Sequence, residues 1–198
     1  MWDSASKGRP KRPSLTVTRE GQTMKEMTAD NATFLLHGLY LPALKNESQL
    51  TKKIIEAVPA DKADYRPDPV SKSANELVRH IAAADVRFAD AVINGKFETG
   101  AVLPAELKTP AEIAAWYERA YAERLDAMSK LTGEQLIKIV DFRGLFQRPA
   151  VTFLMFGAHH TIHHRGQLSA YLRSMGAKVP SIYGESYDSE QAKKAAQA

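Results

Sequence analysis

The stretch 158-AHHTIHHRGQLSAYLRSMG-176 holds four of the six histidines in the chain. They form two pairs with a spacing of four residues, His159 with His163 and His160 with His164. An α-helix turns 100° per residue, so side chains four residues apart lie nearly above one another, with Cβ atoms about 5–6 Å apart. Either pair could therefore hold one ion from adjacent turns of a helix.

A helical wheel separates the two pairs. Centred on His160, the stripe within about 80° also carries His164 and Gln167 and several apolar side chains. Those apolar positions are Phe153, Gly157, Leu168 and Tyr171. The side of His159 and His163 carries the smaller or more polar residues Thr152, Gly166 and Ala170. The wheel therefore selects His160 and His164 as the inward pair and predicts that His159 and His163 are surface or interface residues.

The remaining ligand must come from another part of the chain. The sequence contains no cysteine, so any metal must be held by nitrogen and oxygen atoms. Zinc and similar ions generally keep three or four protein ligands, which calls for another histidine or a carboxylate from a second helix. His80 belongs to an apolar stripe at helical spacing, formed with Leu77, Ala84, Phe88 and Ala91. His37 lies in a run that is apolar on all sides, and we expect it to be a hydrogen-bonded core residue.

Four long helical segments separated by loops predict an all-α four-helix bundle. Cap and stop signals mark the ends of these helices. The first is expected to begin at Asp30 or Asn31, and the second to begin at Ser73, with Glu76 as its capping-box partner, and to end at Gly95. The third is expected to begin at Thr109 with Pro110 in its first turn, and the fourth to run from near Pro149 to Gly176. The first helix is expected to be kinked or interrupted near Pro42. The alternating IKIV before Asp141 predicts a short extended piece, and the charged C-terminal end is expected to fray into solvent.

Composition limits the possible partners. Residues 1–24 form an aperiodic, Pro- and Gly-punctuated arm with five basic and two acidic residues, and residues 25–198 are expected to form one domain. The arm carries most of the net charge of +4 but only one aromatic residue, Trp2, which argues against a nucleic-acid partner. The chain has no apolar run of 18 residues and no secretory leader, so we expect a cytoplasmic protein without a membrane anchor.

Two motifs together resemble the DinB/YfiT-like family of metalloenzymes. The first is S-x-x-E-L-x-x-H-I, from Ser73 to Ile81, and the second is H-x-x-x-H-R-G-Q-L, from His160 to Leu168. The flanking segments YRPDP and VPSIYG also resemble that family, so the likeness spans roughly residues 28–188. The doubled histidines at 159–160 and 163–164 depart from the simplest form of the pattern.

The resemblance implies an up-down-down-up four-helix bundle, often a homodimer, that holds zinc, nickel or a similar divalent ion through His80, His160 and His164. Relatives with assigned activities include thiol S-transferases that use bacillithiol or mycothiol, so the favoured function is a metal-dependent S-transferase acting on a small molecule. A low-molecular-weight thiol would then be a cosubstrate. A metal-dependent hydrolase of the same fold and a non-catalytic metal-binding protein remain as alternatives.

The sequence suggests roles for several residues near the three histidines. Gln167 could orient a ligand or a histidine, whereas Arg165 points away from the ion and is expected to meet a carboxylate or the surroundings of the helix. No general base is identified, because Glu76 and Asp85 are displaced from the face of His80. On resemblance alone, Tyr183 could cover the end of the bundle. The fourth helix is also apolar on its opposite side, at Met155, Ala158 and Ile162, which suggests a dimer contact.

Overall fold

A computed structural model describes residues 26–197, and the predicted basic arm at residues 1–24 lies outside the described residues. The elements, in chain order, are α1 (Ala29–Phe34), a π-helical turn (Leu35–Tyr40), α2 (Leu41–Glu56), a 3₁₀ turn (Ala60–Lys62), α3 (Ala74–Asn94), α4 (Pro110–Ser129), α5 (Gly133–Ile137), β1 (Ile139–Phe142), β2 (Phe146–Pro149), α6 (Thr152–Ser174) and α7 (Tyr187–Ala196).

The long helices α2, α3, α4 and α6 form the predicted bundle. Helix α3 packs against α4 and α6, and α2 packs against the same two helices from the other side. His80 of α3 contacts His164 of α6, and five residues later Asp85 contacts Thr161, so these two helices are antiparallel. Asp85 contacts Tyr117, and five residues later Asp90 contacts Arg124, so α3 and α4 run in the same direction.

Helix α2 completes the up-down-down-up order. Glu47 contacts Arg165, and Lys62, just beyond α2, contacts Met175 just beyond α6. Residue numbers therefore increase in the same direction along α2 and α6, so these two helices are parallel. The predicted topology is confirmed, and it is this arrangement that brings the histidines of α3 and α6 to one place.

The first helical segment begins earlier than the sequence predicts. Its cap is Thr28, which forms a capping box with Asn31, rather than Asp30 or Asn31 itself. The predicted interruption near Pro42 is present as the π-helical turn, in which Leu41 donates its N–H to the carbonyl of Leu36. Proline has no N–H to continue the regular hydrogen-bond ladder, which explains why the irregular turn lies just before Pro42.

The predicted starts of the second and third long helices are confirmed. Ser73 and Glu76 form the capping box of α3, and Gly95 ends that helix in the left-handed conformation at φ 67°. Thr109 caps α4 with Pro110 in its first turn. Side-chain oxygens at these positions satisfy N–H groups that have no partner within the helix, which fixes where each helix begins.

The connection between α4 and α6 contains the predicted extended piece. Strands β1 and β2 pair as an antiparallel hairpin in which Val140 lies opposite Arg148. The expectation of a frayed C-terminal end is wrong, because residues 187–196 form α7, capped by Ser186. Within residues 26–197, none of the helices combines the length and apolarity needed to cross a bilayer.

The core face of α3 differs from the stripe that the sequence predicts. Leu77 and Ala91 are buried, but His80, Ala84 and Phe88 are only half-buried. The most deeply buried side chains of α3 lie one position further round the helix and include Leu77, Val78, Ile81, Ala82, Asp85 and Val86. The reason is that α3 packs against α4 as well as α6, which leaves His80 at the margin of the core beside an open cavity.

Candidate metal centre

Three imidazole rings meet between α3 and α6. The Nε2 atom of His80 lies 3.0 Å from Nε2 of His160 and 3.1 Å from Nε2 of His164. Candidate ligand atoms of all three residues lie within 4.8 Å of one another, and together they could hold a metal ion. The structure thus brings together the three histidines that the helical wheels and the family motifs select.

Close packing of the two helices makes this meeting possible. Gly157 lies one turn before His160 on α6 and faces Phe88 of α3. A Cβ atom at position 157 would lie only 2.9 Å from the Cβ atom of Phe88, closer than non-bonded carbon atoms normally approach. The absence of a side chain at Gly157 therefore lets α6 approach α3 near the histidines.

Gln167 determines the tautomer of His164. The Nδ1 atom of His164 lies 3.0 Å from Oε1 of Gln167, and the amide nitrogen of Gln167 is directed toward the Tyr171 hydroxyl at 3.4 Å. Since an amide oxygen only accepts hydrogen bonds, Nδ1 of neutral His164 must carry the proton. Its Nε2 lone pair is then free and directed into the cluster.

Burial keeps the three rings neutral. It lowers the pKa of His160 to about 4, with further lowering from the neighbouring rings of His164 and His80. The pKa values of His80 and His164 are also lowered, mainly by burial. Neutral imidazole is the form that binds metals, so at pH 7 no proton has to be removed from these side chains first.

The donor set fits a divalent ion. Three ligands at the usual Zn–N distance in a tetrahedral arrangement have nitrogen atoms about 3.3 Å apart, close to the separations at His80. Direct hydrogen bonding explains the cluster less well, because a single Nε2–H on His80 cannot donate fully to both His160 and His164. The Nδ1 atom of His160 is also buried without a hydrogen-bond partner among residues 26–197.

A cavity of about 290 Å³ opens beside His80 and His160. We call it the aromatic cavity, because its walls carry Phe88, Phe97 and Phe142 and its remaining side chains are Ala83, Ala84, Arg87 and Arg143. The ring centroids of Phe88 and Phe142 lie 5.0–5.6 Å from that of Phe97, so the three rings form one packed wall. An ion held by the histidines would thus border a space that can accept a small apolar molecule.

The other three histidines lie outside the cluster. His159 and His163 are exposed on α6, as the helical wheel predicts. His37 is also exposed, so the expectation that it is a core residue is wrong. It lies on the outer side of the π-helical turn, where the apolar run LLHGLY faces solvent at Leu39 as well.

Asp85 is a buried acidic residue of α3 that the sequence pattern does not single out. Its carboxylate is fully buried, where it accepts hydrogen bonds from the hydroxyls of Tyr117 at 2.5 Å and Thr161 at 3.1 Å. Burial raises the pKa of Asp85 to about 6, although both hydrogen bonds act to lower it. Its burial could have been predicted from the sequence, because Asp85 lies four residues after Ile81 and four before Ala89, which are both buried.

Arg165 points away from the histidines and meets a carboxylate, as expected. It is 2% exposed and pairs with Glu47 of α2 at 2.5 Å. Tyr183 packs over its guanidinium, with 5.1 Å between the ring centroid and Cζ, and donates to Glu47 at 2.8 Å. Tyr183 thus fastens the C-terminal segment to α2 and α6 and does not line the aromatic cavity.

An up-down-down-up bundle with three imidazoles gathered between its second and last long helices defines a class of helical proteins with a candidate metal centre. The DinB family profile matches residues 27–195. The chain belongs to the DinB family, which confirms the resemblance carried by its two histidine motifs.

Known relatives support this assignment. YjoA of Bacillus subtilis is 32% identical over 130 residues, which are 64% of this chain and 82% of YjoA. YrdA of the same organism is 27% identical over 150 residues, 73% of this chain and 86% of YrdA. The crystal structure of the DinB-like protein YjoA matches with a TM-score of 0.62 and 25% identity, covering 74% of this chain and 99% of that one. A DinB-like protein from Bacillus cereus matches with the same TM-score and identity, covering 73% and 95%.

Proposed function

We propose that this protein is a divalent-metal-dependent enzyme that joins a small thiol to an apolar electrophile, with His80, His160 and His164 as the metal ligands. The observation that carries the proposal is the convergence of three neutral imidazoles, with Nε2 separations of 3.0 and 3.1 Å at His80, beside the aromatic cavity. Structural zinc is usually closed by four protein ligands, whereas catalytic zinc keeps three and an open position.

The metal site, Gln167 and the aromatic cavity each have a separate role in the proposed reaction. A bound divalent ion, zinc or nickel in this proposal, supplies positive charge that lowers the pKa of a thiol or water molecule beside it. Gln167 holds the ring of His164 in the metal-binding tautomer. The aromatic cavity positions the electrophile and excludes water from it, because Phe88, Phe97 and Phe142 present apolar surface.

The proposed reaction can be written for monochlorobimane as the electrophile. The thiolate sulfur forms a bond to the chlorine-bearing carbon, the C–Cl bond breaks, and chloride leaves with the electron pair. The thiol proton passes to solvent, since none of the residues within 26–197 that line the aromatic cavity carries a carboxylate. The chain has no cysteine, so the sulfur must come from a separate thiol molecule.

Metal analysis tests the ligand assignment. We expect elemental analysis of the purified protein to find about one zinc or nickel ion per chain, and His80→Ala and His164→Ala to lose most of it. His159→Ala is the matched control, because this exposed histidine lies on the same helix outside the cluster. Equal metal content in the wild type and the three variants would contradict the three-histidine metal centre.

Turnover tests the reaction. We expect the metal-loaded protein to form the fluorescent bimane conjugate with a small thiol at a rate that depends on the metal, and His80→Ala to abolish that rate. Hydrolysis of ester or amide substrates without conjugation would favour the hydrolase alternative. Metal binding without either reaction would indicate a metal-binding protein that does not catalyse.

We also propose that the protein is cytoplasmic and forms a homodimer through α6. Ile162 on this helix is 38% exposed, and Met155 and Ala158 beside it are half-buried, so an apolar strip reaches the surface. Light scattering at micromolar concentration should give twice the monomer mass for the wild type and the monomer mass for Ile162→Glu. A monomeric wild type would contradict the homodimer.

A further inference from the structure

On α6, each of the two histidines in the cluster is followed directly by a buried polar residue. Thr161 follows His160 and Arg165 follows His164, and these two side chains are only 3% and 2% exposed. Buried polar groups are costly unless they form hydrogen bonds, so their partners show what each side chain holds in place. In both cases a partner lies on another helix.

The first of these contacts joins α6 to α3, the helix that carries His80. The hydroxyl of Thr161 donates to Oδ1 of Asp85 at 3.1 Å. A helical threonine can instead donate to the carbonyl one turn earlier in its own helix, as Thr51 does with Glu47 at 3.0 Å. Because Thr161 donates across to α3, its hydrogen bond fixes the position of α6 relative to that helix.

The second contact joins α6 to α2. Arg165 donates to the carboxylate of Glu47 at 2.5 Å, to the backbone carbonyl of the same residue at 3.1 Å and to the hydroxyl of Thr51 at 3.3 Å. Arg165 is four residues after Thr161, so the two contacts are about 6 Å apart along the axis of α6. They therefore hold α6 at two successive turns and against two different helices.

These contacts restrain the rotation of α6 about its own axis. A rotation of about 10° would move an atom that lies about 6 Å from the axis by about 1 Å. Groups in a functional site have to be held within about 0.5 Å, so a rotation of this size would disturb the three imidazoles. Apolar packing resists rotation weakly because it is not directional, whereas a hydrogen bond weakens steeply as its angle changes.

We infer that the carboxylates of Asp85 and Glu47 are positioning groups of the candidate metal centre. They act through the two buried polar side chains of α6 and are not members of the ligand cluster themselves. Together they hold α6 at the rotation in which its two imidazoles meet the imidazole of α3. The inference rests on the metal site of the proposed function, and it applies whichever reaction that site performs.

Two variants of Thr161 test the contact with α3. Thr161→Val removes the hydroxyl and keeps the shape of the side chain, and it should lower zinc affinity about tenfold in competition with a chromophoric chelator. Thr161→Ser keeps the hydroxyl and should restore the affinity. With cobalt in place of zinc, the visible absorption bands should shift in Thr161→Val and return in Thr161→Ser, because these bands report the arrangement of the ligands.

Tyr117→Phe is the matched control for the loss of a hydrogen bond. Tyr117 donates to the other oxygen of the Asp85 carboxylate at 2.5 Å, but it belongs to α4, which contributes no histidine to the cluster. Tyr117→Phe and Thr161→Val should lower the urea midpoint of unfolding by similar amounts. Only Thr161→Val should change the zinc affinity and the cobalt bands. Equal losses of affinity in both variants, or no loss in Thr161→Val, would overturn the inference.

Glu47 gives a second test that does not depend on the folding of the threonine variants. Glu47→Ala removes the carboxylate that holds Arg165 and should also lower zinc affinity about tenfold. Glu118→Ala is its control, because Glu118 pairs with Lys52 at 2.8 Å between α4 and α2 and does not contact α6. Unchanged zinc affinity in Glu47→Ala would contradict the positioning role of Glu47.

The same measurements separate this inference from the proposed reaction. Tight zinc binding in the wild type, with the expected losses in Thr161→Val and Glu47→Ala but no turnover of any thiol, would support the positioning groups and contradict the transferase. Thiol turnover with unchanged zinc affinity in both variants would do the reverse. A wild type that binds no zinc, nickel or cobalt would overturn both.

Discussion

Gln167 shows how a single uncharged side chain can prepare a metal ligand. Its Oε1 accepts the Nδ1–H of His164 at 3.0 Å, which leaves Nε2 with a free lone pair. The ring orientation is fixed at the same time, because Gln167 in turn contacts Tyr171, and the Tyr171 hydroxyl donates to the carbonyl of Lys72 at 3.2 Å. Partners of this kind commonly contribute to metal affinity without touching the ion.

Replacing Gln167 should therefore weaken metal binding while leaving the three ligands in place. We expect Gln167→Ala to lower zinc affinity about 10–100-fold in competition with a chromophoric chelator. Gln167→Glu should retain the affinity, because a carboxylate accepts the same N–H, and Gln49→Ala on the exposed side of α2 serves as the control. An unchanged affinity in Gln167→Ala would show that His164 selects its tautomer without help.

Asp85 links stability to pH in the opposite sense from an ion-paired carboxylate. Its folded-state pKa is about 6, above the ordinary value of 3.8, because burial opposes the charged form. The proton is thus held more tightly in the folded protein than in the unfolded chain. The resulting stabilisation is complete below pH 3.8 and is lost as the pH rises through about 6.

Asp85→Asn should remove this dependence. Relative to the wild type, the metal-free variant should gain about 2.4 kcal/mol of unfolding free energy between pH 4 and pH 7, following from the two pKa values of Asp85. Urea unfolding at several pH values measures the difference. The histidines lose stabilisation as the pH falls from 6.5 toward 4, but they are present in both proteins and cancel. Parallel stability curves for the two proteins would show that Asp85 does not titrate in this range.

At the level of single residues, periodicity predicted direction well only where the helix has one buried face. On α6 the wheel placed His159 and His163 outside and Phe153 and Leu168 inside, as observed. On α1 and the π-helical turn it could give no direction, because the run around His37 is apolar on every side. Direction there is decided by the helices that pack against the segment, and a wheel contains no such information.

At the level of secondary-structure elements, the pairing of α3 with α6 depends on a small residue at their closest approach. Gly157 faces Phe88, whereas Gly166 on the same helix has no atom within 4 Å of its hypothetical Cβ. The two glycines therefore offer a matched comparison, since each would gain the same methyl group in the same helix.

Alanine at these two positions should have opposite effects. Gly166→Ala should stabilise the protein by up to about 1 kcal/mol, because alanine favours the helix. Gly157→Ala should destabilise it by about 1–3 kcal/mol, since the helices must separate to relieve the contact with Phe88. We also expect the zinc affinity to fall only in Gly157→Ala. Chemical denaturation and chelator competition check both points, and similar values for the two variants would show that the helix contact does not determine the site.

The beginnings of helices were predictable where a single polar residue stands before the helical pattern as the evident cap. Ser73 with Glu76 and Thr109 followed by Pro110 gave the starts of α3 and α4 correctly. At the first helix the polar residues Asp30 and Asn31 were predicted as the cap, but the actual cap is Thr28, two residues before Asp30. Asn31 explains why Thr28 is the cap, because an asparagine three residues after a cap residue can also complete a capping box.

At the level of the whole molecule, the candidate metal centre connects distant parts of the chain. His80 and His160 are 80 residues apart, and between them lie α4, α5 and the hairpin of β1 and β2. The periodicity of the two helices predicts that these histidines face inward, and the family resemblance supplies the topology that joins them. The aromatic cavity was not predicted, because Phe97 and Phe142 come from connecting segments whose paths no helical periodicity describes.

A bound ion that connects α3 with α6 should raise the stability of the entire bundle. The unfolded chain cannot present three imidazoles together, so the ion binds the folded state and stabilises it by about 2.7 kcal/mol at a free concentration of 100 times Kd. For a chain of this length the midpoint of thermal unfolding should rise by about 5–10 °C. Differential scanning calorimetry with and without zinc should show this increase in the wild type and in His159→Ala, and it should be lost in His80→Ala. If His80→Ala gained as much as the wild type, the ion would be binding elsewhere, because α3 would no longer contribute a ligand.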